Sequence, residues 1–90
     1  MKDLSFELDY IGGNCPVQAE GKIGGKPFYF RARWDKWSIG IGGDDPVLNP
    51  EWYHEAPYGS GPGDAGWMPV CIAMCMISTA MVMYCYSLKD

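Results

Sequence analysis

Cys71 and Cys75 stand one helical turn apart, and Cys85 would project from nearly the same flank of a helix. Thiolates at that spacing can share a metal ion, zinc above all. A structural zinc site takes four ligands, however. The remaining cysteine, Cys15, lies in a distant turn, and the one histidine, His54, lies in a separate Gly/Pro-rich stretch. The expectation is therefore no metal, with the cysteines acting as small apolar residues in a reduced protein. A Cys–His nucleophile through His54 would need a third group to orient the base, and no local signature supplies one. Gly40-Ile41-Gly42-Gly43 has a superficial likeness to a nucleotide fingerprint. It lacks the helix that must follow, and Asp44-Asp45 would repel a phosphate. No catalytic residue and no cofactor are expected, and the chain reads as a non-enzyme.

Carboxylates are the denser signal. Asp44, Asp45, Glu51, Glu55 and Asp64 lie in a stretch without Lys or Arg, at spacings that match no calcium loop. One reading is a solvated acidic loop. The sharper one is a recognition surface that docks on a basic groove and partly imitates nucleic-acid phosphates. Its members would be Asp44, Asp45, Glu51 and Glu55, with Trp52 and Tyr58 as aromatic anchors. Positive charge is segregated elsewhere: Lys22, Lys26, Arg31, Arg33 and Lys36 are five of the seven basic residues. Tyr29, Arg31 and Arg33 alternate on one strand face, where they could stack on and neutralise a single-stranded nucleic acid. The formal net charge of −4 weighs against a dedicated nucleic-acid binder.

These side chains need elements to position them. Leu4, Phe6, Leu8 and Tyr10 alternate with polar residues, which predicts a half-buried strand. Val17, Ala19, Gly21 and Ile23 give a second strand, and Gly24-Gly25 a hairpin turn. Phe28, Phe30, Ala32 and Trp34 share one face of a third. Asp35-Lys36 leads into a fourth through Trp37, Ile39 and Ile41. Residues 43–67 read as a long Gly/Pro/acidic loop, with one helical turn at Asn49-Pro50-Glu51-Trp52-Tyr53.

Pro69 suits the first turn of a helix over residues 69–87. Residues 70–86 carry no Asp, Glu, Lys, Arg or His, and five of the six methionines lie between positions 68 and 83. At 100° per residue, Val70, Met74, Ile77, Met81, Tyr84 and Leu88 form a stripe for the sheet, with Ala73 and Ala80 beside it. Ile72, Met76, Thr79, Met83 and Tyr86 fall on the far side. A second apolar face needs a cover. Ile72, Met76, Met83 and Tyr86 would form a homodimer face, unless the long loop folds back with Trp52 or Trp67 as a lid. The uncharged run is at the lower limit for crossing a bilayer, so a buried or paired helix is expected rather than a membrane span.

The expected architecture is α+β: one domain over residues 1–90, with a four-stranded antiparallel meander and a long C-terminal helix packed on one face. Residues 1–5 carry no apolar leader pattern, and a cytoplasmic protein is expected.

Several segments also resemble known proteins. With Pro27-Phe28-Tyr29-Phe30-Arg31-Ala32-Arg33, Trp37-Ser38-Ile39, Pro57-Tyr58-Gly59-Ser60-Gly61-Pro62 and Ala65-Gly66-Trp67-Met68-Pro69, the whole resembles small proteins encoded by phages and mobile elements. That class includes the anti-CRISPR inhibitors of type I systems. The resemblance spans about residues 4–69. It implies a short, acidic, non-enzymatic inhibitor in the bacterial cytoplasm, occupying the nucleic-acid or partner surface of a type I Cas effector subunit. The class shares no common motif, so no residue role is carried over. Its members would carry charge on the outer face of the last helix, which this chain does not.

Overall fold

In the computed structural model, which describes residues 5–59 and 63–88, one antiparallel sheet is backed by one helix. The strands are β1 (Phe6–Gly12), β2 (Val17–Ile23), β3 (Lys26–Arg33), β4 (Lys36–Ile41) and β5 (Trp52–Pro57). They lie side by side in sequence order, each paired with the next. A 3₁₀ turn (Asp64–Trp67) leads into α1 (Val70–Ser87). The α+β class and the meander follow the expectation, with one strand more. Leu4, expected in the first strand, lies outside the described residues.

The extra strand corrects the reading of residues 43–67 as loop and of residues 49–53 as a helical turn. Trp52, His54 and Ala56 sit opposite Ile41, Ile39 and Trp37, while Tyr53 and Glu55 point to the other face. Period-two alternation was present, but its inward members include a histidine and an alanine. His54 lies between Trp37 and Trp52, with ring centroids at 5.4 and 6.1 Å.

The inner face collects Val17, Ala19 and Ile23, Phe28, Phe30 and Ala32, and Trp37, Ile39 and Ile41, all buried. In β1 the pattern breaks. Leu8 pairs with Gly21, but the next pair is Tyr10 with Glu20, so the register shifts at Asp9. Such a bulge reverses which face the following residues meet. Tyr10 is thereby exposed, and Ile11 replaces it against the core. Trp34 also leaves its expected face, because β3 ends at Arg33 and Trp34 enters the turn with φ +62°.

Helix α1 docks through Ala73, Ile77, Ala80 and Tyr84, at the 4-3-4 spacing of a single helical face. The small alanines let the helix axis approach the sheet. Compared with the expected stripe, the face is turned toward Ala73 and Ala80. Val70 is exposed, and Ile72 and Met76 flank the core instead of facing away. The opposite row, Cys71, Cys75, Ser78, Val82 and Cys85, is exposed along its length. Among the described residues no lid covers it: Trp67 is exposed, and Trp52 packs beside Tyr84 on the core side. The helix is apolar and long enough to cross a membrane by length and composition, with mean hydropathy 1.7 over its 18 residues.

Candidate functional site

The β4–β5 connection, residues 42–51, is a fixed structure rather than a slack linker. Gly42 and Gly43 both take positive φ, at +70° and +77°, which favours glycine. Asp45 then organises the tip. Its Oδ1 accepts the N–H groups of Val47 at 2.8 Å and Leu48 at 3.3 Å. Its carbonyl accepts the N–H of Asn49 at 2.8 Å. An Asp side chain holding the amides two and three residues on is the usual way such turns are locked. Glu51 N–H donates to Ile41 O at 3.1 Å and returns the chain to the sheet.

The loop folds over the outward sheet face. At Gly40 a Cβ atom would stand 2.0 Å from the Pro46 carbonyl oxygen, so only glycine admits the loop there. What the loop presents is apolar. Val47 is 56% and Leu48 84% exposed, separated from Asp44 and Asp45 in the chain by Pro46 alone.

The six expected partner-binding residues do not form one surface. Asp44 and Asp45 belong to the loop. Glu51 pairs with Lys26 at 2.6 Å and accepts the Tyr84 hydroxyl at 3.4 Å. Glu55 accepts the Tyr53 hydroxyl at 2.8 Å and pairs with Lys36 at 3.2 Å. Trp52 meets Tyr84 edge-on at 5.6 Å. Tyr58 packs against the core, and its N–H donates to Asp35 O at 2.8 Å. The two expected anchors are thus spent on the protein's own interior. Sequence reasoning passed over Val47 and Leu48. Their signal was an Asx-turn residue and a proline directly before two apolar residues in an otherwise polar, Gly-rich stretch.

Lys26 donates to Glu51 and holds its carboxyl below the usual carboxylate range, while Glu51 raises the Lys26 ammonium. Tyr53 first, and then Lys36, lower Glu55 in the same way. The signs follow. A carboxylate lowered in the folded state adds stability above its unfolded value, 4.5 for Glu51, and loses it as pH falls through the folded value. The lysine's contribution holds below 10.5 and is lost as pH rises through its raised value. Glu51→Gln is therefore expected to destabilise slightly at pH 7 and less at pH 3, with the difference shrinking in high salt. Urea melts of both proteins at the two pH values check this.

Of the alternative nucleic-acid face, Tyr29, Arg31 and Arg33 do share the outward side of β3, with Arg31 between Gln18 and Ser38 of its neighbours. Of the expected oligomer face, Met83 and Tyr86 are exposed, while Ile72 and Met76 are partly packed on the core. Among the described residues, no three His, Cys, Asp or Glu side chains group as a metal-ligand set. Comparison with known proteins found no matching family model, no matching curated protein and no matching solved structure.

Proposed function

We propose that this protein is a non-enzymatic binding protein that acts by occupying a surface of a protein partner, in the manner of small phage-encoded inhibitors of type I CRISPR effector complexes. One observation carries the reading: Leu48 stands 84% exposed at the tip of a loop that Asp45 locks and Gly40 seats. An apolar side chain fixed in water gains nothing for the monomer. It is pre-organised for a pocket, so little ordering entropy is lost on docking. The carboxylates of Asp44 and Asp45 beside it select a pocket rimmed by Lys or Arg. The partner is thus an apolar hollow in a basic surface, of the kind found where a protein binds nucleic acid.

Leu48 and the two acids have separable effects. Leu48→Asp is expected to weaken partner capture by about 30-fold or more, as for an interface hot spot, chiefly through faster dissociation. Asp44→Asn with Asp45→Asn keeps the turn's acceptor and removes charge, so it slows association and flattens its salt dependence. The measurement is surface-immobilised capture of a type I effector complex and, separately, of its subunits. Retention of none of these removes the CRISPR assignment. Equal capture by Leu48→Asp removes the loop.

A second reading, a homodimer through α1, is favoured by the uncovered row Cys71, Cys75, Ser78, Val82 and Cys85. Its 4-3-4-3 spacing is that of a two-helix seam. The exposed Thr79 and Ser87 hydroxyls beside it donate back to the helix's own carbonyls, Thr79 to Cys75 at 2.9 Å and Ser87 to Tyr84 at 2.6 Å. Sedimentation velocity should show a coefficient that rises with concentration, and Val82→Glu should abolish the rise without changing the circular dichroism. A concentration-independent monomer excludes this reading.

A further inference from the structure

We propose that the outward cleft beside the β3–β4 hairpin binds the phosphate group of a nucleotide, with Trp34 as the stacking surface for its base. The cleft is lined by Arg31, Arg33, Trp34, Lys36, Trp37 and Ser38 and holds about 230 Å³. Three of those six side chains are cations. Asp35 in the turn and Glu55 on β5 are nearby anions, and Glu55 is engaged by Lys36 and Tyr53. Glu20, opposite Tyr29 on β2, lies diagonal to Arg31 on the same face. Among the described residues neither arginine makes a salt bridge, which leaves their charge to a ligand.

Two features of this cleft have no explanation in the folding of the chain. Arg31 Nε is buried and has no hydrogen-bond acceptor among the described residues. A buried guanidinium N–H without a partner is costly. A phosphate that draws the guanidinium outward supplies the missing acceptor and engages a planar fork suited to two oxygens. The second feature is Trp34. It takes φ +62°, where glycine is the unstrained residue, and the residue is 62% exposed. The backbone there is tied down, since Trp34 O accepts the Ala65 N–H and Asp35 O the Tyr58 N–H, each at 2.8 Å. The Arg33 guanidinium lies 5.7 Å from the Trp34 ring centroid. A large ring held in the open at a position better suited to glycine, beside two arginines, has the parts of a base-stacking platform with phosphate contacts. The site does not depend on the β4–β5 loop, so it stands or falls apart from the protein-docking reading.

Free nucleotides and single strands offer the same chemistry, and the experiment separates them. Tryptophan fluorescence of the full chain is titrated with AMP, adenosine, inorganic phosphate and a dT10 oligonucleotide. AMP or dT10 should quench, with adenosine and phosphate at least 10-fold weaker. Quenching by dT10 alone assigns a strand, and by AMP alone a free nucleotide. For the strand, two phosphate contacts give a salt slope of about −1.4. Trp34→Gly suits the backbone and should fold at least as well as the native chain, so loss of AMP or dT10 binding, read by calorimetry, is a loss of the platform. Arg31→Lys keeps the charge and loses the fork, and should weaken binding about 10-fold. Leu48→Asp should leave it unchanged. Absence of binding by AMP and dT10, or native affinity in Trp34→Gly, overturns the proposal, as does phosphate binding as tightly as AMP.

Discussion

Tyr84→Ala is expected to remove about 3–5 kcal/mol of folding stability, the range for truncating a buried aromatic residue. Of the four residues that α1 buries, two are alanines, so Ile77 and Tyr84 carry most of the helix's attachment. Tyr84 is 2% exposed and meets Trp52 edge-on at 5.6 Å. Total stability for a small domain is on the order of 5–15 kcal/mol, so the variant stands near its unfolding threshold. Tyr84→Phe should cost less than about 1 kcal/mol. Its hydroxyl reaches Glu51 only at 3.4 Å, and Glu51 keeps Lys26 when that contact is gone. Urea melts of the two variants, followed at 222 nm, separate the ring from the hydroxyl. An alanine variant within about 1 kcal/mol of the native protein would mean that the helix is held by something other than this face.

The second large effect is Gly40→Ala. The added carbon would lie 2.0 Å from a backbone oxygen and 3.2 Å from Pro50 Cβ, so the loop rather than a flexible side chain must move. A cost of about 3 kcal/mol is expected, at the upper end for overpacking. With the loop lifted, Leu48 loses its fixed position, and partner capture should fall by about 10-fold or more, since the lost pre-organisation must be met on binding. Gly21→Ala is the matched control. Its Cβ would stand 2.0 Å from the Glu7 carbonyl, on the strand pairing of β1 and β2. It should destabilise comparably and leave capture by the remaining folded molecules intact. If the two variants lose capture equally, the loop has no special part in it.

The contrast between these glycines shows what the chain discloses about its own fold. Strands β2, β3 and β4 were legible because their inward positions, Lys26 at the start of β3 apart, are apolar or glycine, and the β2–β3 turn is Gly24-Gly25. Strand β5 was not, because His54 and Ala56 are inward only by virtue of the neighbours they lie against. Tyr10 and Trp34 were assigned to the core by alternation. A one-residue bulge and a turn one position early moved both outward, and alternation cannot register either event. The acidic residues were legible as charges but not as a surface, since Lys26 and Lys36 are distant in sequence from Glu51 and Glu55. Arg31 and Arg33 were found on the expected face, because a regular strand fixes the direction of its side chains. Trp34, the ring beside their cleft, was placed there only by the closure of the hairpin.

The meander precedes the helix that covers it. During synthesis on the ribosome, β1 to β5 can pair as they emerge, each with the strand just made. Phe28, Phe30, Ile39 and Ile41 then face water until the segment carrying Ile77 and Tyr84 clears the exit tunnel. For that interval the nascent chain offers a bare greasy plane, with the edges of β1 and β5 open beside it. Any pause that prolongs this interval raises the demand for a chaperone.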